Sequence, residues 1–192
     1  MRKIVRGLTR RPVLVPLRPK NATPMKLVPR YERLKQLAKR FPSLDPSAIE
    51  TCLTMLRLSN ELTEAYEAHF ARHGLSHGRF VVLVQLFSAE DAGETLRPAD
   101  LAELSSCSRA TVTGLLDTLE KDGLISRADH PEDRRMYSVH LTPKGRELIQ
   151  GMMPDHYRRI AALMAPLSLD ERDTLRALLA KVSSGIPALR DP

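Results

Sequence analysis

The chain has 192 residues, 42% hydrophobic and 28% charged, a balance that suits one to one and a half globular domains. Its two cysteines, Cys52 and Cys107, exclude a disulfide scaffold, and 4% aromatic residues without Trp supply no stacking platforms for bases or sugars. The formal charge of +7 sits at one end: residues 1–40 carry 13 Lys or Arg and one acid, Glu32, whereas residues 41–192 carry 17 basic and 22 acidic side chains.

Residues 1–30 hold Pro12, Pro16, Pro19, Pro24 and Pro29 with no apolar period, so they read as an extended basic arm. Val13-Leu14-Val15, cut off by Pro12 and Pro16, is too short for a signal-peptide core. The arm reads either as a nucleic-acid tail or, over residues 1–24, as leader ahead of a start at Met25. Tyr31 to Arg40 is expected to form a short basic helix with Leu34 and Leu37 on one face, closing an arm region of 1–40.

A long helix is expected over 46–73, with Asp45 as N-cap, Pro46 at its first position and Gly74 beyond its end. Ser76 caps a second helix, whose Phe80, Leu83, Val84 and Phe87 recur at helical spacing. The apolar run Phe80 to Val84 is far short of a bilayer span, so no membrane partner is expected, and a reducing cytoplasm is the expected compartment. After a loop from Glu90 to Arg97, Pro98 to Leu104 forms a short helix and Ser105-Ser106-Cys107 a turn. Ser108 caps the next helix, in which Val112, Leu115, Leu116 and Leu119 face inward until Gly123 stops it. Leu124 to Ala128 and Met136 to Leu141 read as strands around a charged turn, Asp129 to Arg135. Thr142-Pro143 restarts a helix to about Ala165. The capping box Ser168 to Glu171 opens a last helix striped with Leu175, Leu178, Leu179 and Val182.

Short helices joined by a tight turn and followed by a charged hairpin describe a winged helix-turn-helix. The inward stripe of the helix after Ser108 leaves Ser106, Ser108, Arg109, Thr111, Thr113 and Gly114 facing outward at its N-terminal half. Short hydroxyls and one guanidinium there suit phosphates and base edges, and the helix N-terminus favours an anion. Asp117, Glu120 and Asp122 lie at the other end.

The wing spacing, Asp133 and Arg135 followed by Val139, Leu141, Thr142 and Gly145, resembles the MarR family of bacterial transcription regulators. Leu101-Ala102-Glu103-Leu104 and the run from Thr111 to Ile125 are similar to that family's helix-turn-helix. The likeness covers about 46–184. Gly114 departs from it, standing where relatives often carry a basic residue.

The resemblance implies a mainly α fold with a small β-hairpin wing, the winged helix-turn-helix over about 76–142 inside a domain of 41–192. It implies a homodimer interlocked through helices over 46–73 and 143–184, which reads a pseudo-palindromic double-stranded DNA operator. Independently, the helices starting at 143 and 168 carry more apolar surface than a small monomer needs to cover. By the resemblance, Arg135 is the minor-groove arginine and Asp133 orients it, while Arg134 faces phosphate.

The resemblance also implies release of DNA by a small molecule, often an aromatic carboxylate. At the junction of the first two long helices lie Tyr66, His69, His73, His77 and Arg79. His73 and Arg79 read either as the receiver of an organic anion or as exposed helix-end cations; His77 is assigned to the second role. His69 and His73 lack the further ligands a metal would need. Cys52 matches the spacing of the reactive cysteine in the family's organic-hydroperoxide-sensing branch, and Tyr66 one of that branch's tyrosines. The other tyrosine position is Leu56, which favours Cys52 as a small buried hydrophobe. Cys107 reads as structural. No phosphate loop, nucleophile elbow or paired carboxylate set points to an enzyme, and no cofactor is expected. The competing class is an architectural protein that coats DNA without sequence choice.

Overall fold

The computed structural model describes residues 31–129 and 137–190, which fall into two compact units, one ending at Gly145 and the other beginning at Arg146. In chain order the first unit holds α1 (Tyr31–Ala38), α2 (Pro46–Ala71), α3 (His77–Asp91), α4 (Pro98–Leu104), α5 (Arg109–Lys121), β1 (Ile125–Asp129) and β2 (Tyr137–Leu141). Helix α6 (Pro143–Met164) begins at its edge; α7 (Leu169–Gly185) and a 3-10 turn, Ile186–Leu189, follow. Among the described residues no helix is long and apolar enough to cross a membrane.

Local chemistry sets the helix ends. Asp45 Oδ1 accepts from the Ser47 and Ala48 amides at 2.8 and 3.1 Å, and Pro46 fills a position with no amide to satisfy. Helix α2 stops at Ala71, short of His73, because the chain turns through Gly74 at φ +69°, with Leu75 N donating to Phe70 O at 3.1 Å. Ser76 caps α3 and Ser108 caps α5. In the capping box of α7, Ser168 N donates to Glu171 Oε2 at 2.8 Å and Glu171 N to Ser168 Oγ at 3.2 Å.

The core of the first unit gathers on α3. This helix touches α2, α4, α5 and β2, and it buries Val82 and Leu86 as well as Phe80 and Leu83. The single stripe expected from spacing is therefore too narrow: Val84 and Phe87 are only half-buried. Phe70, Leu101, Val112, Leu116, Leu119 and Val139 are fully buried as well. Each such side chain contributes on the order of 1.5–3 kcal/mol through burial.

The strands pair antiparallel, Ile125 opposite Leu141 and Arg127 opposite Val139. β1 begins one residue later than expected because Leu124 belongs to the helix-ending turn, its amide donating to Leu119 O at 2.9 Å. Leu96 forms a bridge to Val139, whose amide donates to Leu96 O at 3.0 Å, so a residue expected in plain loop lies along the hairpin. Glu90 on α3 accepts from the Leu141 amide at 2.8 Å and ties the hairpin base to the core.

In the second unit, Ile149, Met152 and His156 mark a buried face of α6, which continues through Pro154. Arg172 donates to Met164 O at the end of α6, with Nη2 at 2.7 Å. No residue of α7 is buried; Leu175, Leu178, Leu179 and Val182 are all exposed.

Candidate nucleic-acid interface

Ser106, between α4 and α5, adopts φ +51°, a left-handed conformation that a serine reaches at some cost. Its neighbours hold it there. The buried Ser105 hydroxyl donates to Leu101 O, and the Cys107 amide donates to Ala102 O at 3.1 Å. The half-buried Cys107 thiol points to Ser105 O at 3.3 Å, in keeping with a structural part.

Helix α5 starts from this turn with Ser108 Oγ accepting from the Thr111 amide at 3.1 Å and 2.8 Å from the Thr111 hydroxyl. Ser106, Ser108, Arg109, Thr111, Thr113 and Gly114 are all exposed, so the structure gathers these candidates at the start of one helix. Thr113 Oγ1 donates to Arg109 O at 2.9 Å, which leaves its lone pairs outward. A Cβ at Gly114 would meet nothing within 4 Å, so packing does not require glycine there.

The acids of α5 are held by cations from outside the helix. Arg127 on β1 donates to Asp117 at 2.5 Å, lies 3.4 Å from Glu120, and places its guanidinium over the Tyr137 ring. Asp122 pairs with Arg79. The C-terminal half of α5 thus carries paired charge, whereas Arg109 at its start has no ion pair among the described residues. Positive potential is left at the end where hydroxyls and free helix amides lie. Sequence reasoning missed Arg127; the signal was Asp117 and Glu120, an acidic pair on one helix face that calls for a cation from the following strand. Asp133, Arg134 and Arg135, expected at the wing tip, lie outside the described residues.

At the α2–α3 corner, Phe70 stacks on Phe80 at 4.1 Å, and the His77 ring stacks on Tyr66 and Phe70. His69 is buried against Phe70 and meets His73 edge-on at 5.9 Å; His73 itself is exposed. His77 is no helix-end cation: burial among these rings pushes it below the ordinary imidazole value despite nearby Glu67. Arg79 is occupied by the chain's own groups, donating to Gly74 O at 3.0 Å and to the Asp122 carboxylate. The α3 N-terminus is likewise partnered, His77 N by Glu67 at 3.3 Å and Arg79 N by Ser76 at 3.4 Å. Cys52 is exposed on α2, as are Leu56 and Leu58, so the expected burial of its thiol is corrected: among the described residues nothing covers it.

Two helices meeting at a left-handed turn, followed by an antiparallel hairpin bound to their core, make a winged helix-turn-helix. A model of the MarR family matches residues 75–137, from the α2–α3 corner into β2. The HTH-type transcriptional repressor YetL of Bacillus subtilis (strain 168) is 34% identical over 167 residues, 87% of this chain and 99% of YetL. AbsC, a MarR family regulator from Streptomyces coelicolor, has a similar fold, with a TM-score of 0.64 at 24% identity over 72% of this chain and 95% of AbsC. The S. aureus MepR–DNA complex gives a TM-score of 0.63 at 23% identity over 70% of this chain and 96% of MepR. The chain belongs to the MarR family of winged helix-turn-helix transcriptional regulators.

Proposed function

We propose that this protein is a cytoplasmic, homodimeric repressor that reads a pseudo-palindromic operator with α5 and the wing and is released by a small organic acid. The observation that carries the reading is the polarity of α5, with exposed hydroxyls and an Arg109 that has no ion pair among the described residues at its start, and paired acids at its far end. YetL, similar over nearly its whole length, is named a repressor, and the similar fold of MepR occurs in a DNA complex. The exposed leucines of α7 supply the surface for dimerisation, alongside α2 and α6. Arg135, oriented by Asp133, enters the minor groove while Arg134 meets phosphate. Selection of duplexes from a random library, followed by competition with bulk DNA at physiological salt, tests the reading. A repressor recovers a preferred duplex with twofold symmetry and holds it against the competitor, whereas an architectural protein shows almost no specificity ratio.

The effector in this reading is an aromatic carboxylate taken up at the α2–α3 corner beside Tyr66, His69, His73 and Arg79. Because Asp122 already holds Arg79, the ligand must compete with a carboxylate of the chain itself. Calorimetry of aromatic carboxylates against wild type and Arg79→Ala tests it; equal binding to both places the pocket elsewhere. One observation favours a second reading, organic-hydroperoxide sensing: the Cys52 thiol is exposed. Operator release by an organic hydroperoxide that disappears in Cys52→Ser would establish that reading over the first.

A further inference from the structure

We infer that Arg79 is a positioning residue for DNA reading: through Asp122 it fastens the C-terminus of α5 to the α2–α3 corner and fixes the attitude at which α5 is presented. The inference rests on the DNA-binding reading above and concerns side chains remote from the exposed start of α5. Asp122 is the C-cap of α5, where a carboxylate opposes the negative end of the helix dipole. Arg79 lies in the first turn of α3, where a cation opposes the positive end. Neither charge is favoured by its own helix. The two meet across 43 residues of sequence, and each removes the other's penalty.

The surroundings repeat the pattern. Gly74 ends α2 and Gly123 follows α5, both at φ +69°. The turns close with Leu75 N donating to Phe70 O at 3.1 Å and Leu124 N to Leu119 O at 2.9 Å. Arg79 bonds to the Gly74 carbonyl at 3.0 Å and to the Asp122 carboxylate, so it bridges the ends of two helices whose dipoles both favour a cation. Lys144 Nζ adds a bond to Asp122 O at 2.8 Å. The Arg79 side chain is 14% exposed and that of Asp122 44%, so the pair is more shielded than an open surface bridge. Burial of Val112, Leu116 and Leu119 holds α5 to the core without direction, whereas the bond to Asp122 is directional.

The probe is a duplex selected by the wild-type chain from a random library, with bulk DNA as competitor. Arg79→Gln and Asp122→Asn should each lower the ratio of selected to bulk affinity about tenfold, and the double variant should be no worse than either. The exchanged pair, Arg79→Asp with Asp122→Arg, should recover part of the ratio, since the link is restored with each charge at the favourable end of its helix. Amide exchange should rise over residues 117–123 in the single variants and stay unchanged in α7. Loss of folded protein would depress both affinities in proportion and leave the ratio alone. An unchanged ratio, additive single effects or no recovery in the exchanged pair overturns the inference. A library that yields no preferred duplex overturns the DNA-binding reading and this inference with it.

Discussion

His77 lies in the first turn of α3, its ring 5.7 Å from that of Tyr66 and 5.5 Å from that of Phe70. Burial disfavours the imidazolium and outweighs the attraction of Glu67, so the folded chain protonates His77 below the ordinary value of 6.5. The unfolded chain takes up that proton first as pH falls. This contribution to stability is complete above about 6.5 and is lost as pH drops through the folded value. His77→Phe keeps the stack and removes the titration. Melting from about pH 7.5 to about pH 5 should lower the wild-type Tm more than that of the variant; parallel curves would place the acid sensitivity elsewhere. Arg135 gives a second prediction at this scale. Arg135→Ala should weaken binding to a selected duplex by about 1–3 kcal/mol without changing the oligomeric state, as measured by titration and sedimentation. Wild-type affinity would remove Arg135 from the groove. The sequence grouped His69, His73, His77 and Arg79 correctly as neighbours of one corner, but spacing could not disclose their partners. Asp122, which holds Arg79, stands 43 residues away in the chain.

Among the elements, Gly145 and Gly151 of α6 provide a contrast that spacing alone would not suggest. A Cβ at Gly145 would run into the Leu124 carbonyl oxygen and stand 2.9 Å from its carbon, backbone atoms with little room to retreat. Around it, Thr142 Oγ1 donates to Gly123 O at 2.7 Å and the Gly145 amide donates to Thr142 Oγ1 at 3.1 Å, binding the start of α6 to the end of α5. Gly145→Ala should therefore destabilise the protein by about 1–3 kcal/mol through overpacking. Gly151 is exposed, with nothing within 4 Å of a Cβ, and Gly151→Ala should stabilise by about 0.5–1 kcal/mol by reducing backbone freedom in the unfolded chain. Urea unfolding of both variants checks the pair, and equal effects would remove the close approach as the cause. Helix existence was legible because caps are local: Asp45, Ser76, Ser108 and Ser168 each announce a start within four residues. The bridge from Leu96 to Val139 was not, since a single residue paired across 43 positions leaves no period to read.

For the molecule as a whole, the charge imbalance was legible from composition, whereas the division after Gly145 was not, because α6 runs through it without a break in pattern. Residues 41–192 hold more acids than bases, so general attraction to DNA has to come from local cations on the reading surface or from the arm. Deleting residues 1–24 removes Arg2, Lys3, Arg6, Arg10, Arg11, Arg18 and Lys20 and no acid. The proposed dimer would be deprived of this set in both copies. Each phosphate neutralised by a cation releases condensed counterions, so for every phosphate no longer neutralised the log–log salt dependence of affinity should flatten by about one unit. Cation–phosphate pairs carry no base information. The ratio between a selected duplex and bulk DNA should therefore hardly move while the slope falls. Titrations of full-length and shortened protein at several salt concentrations separate the cases. A flatter slope with an unchanged ratio places the arm on the phosphates, and a changed ratio gives it a part in reading bases. An unchanged slope removes residues 1–24 from the interface and leaves binding to α5 and the wing.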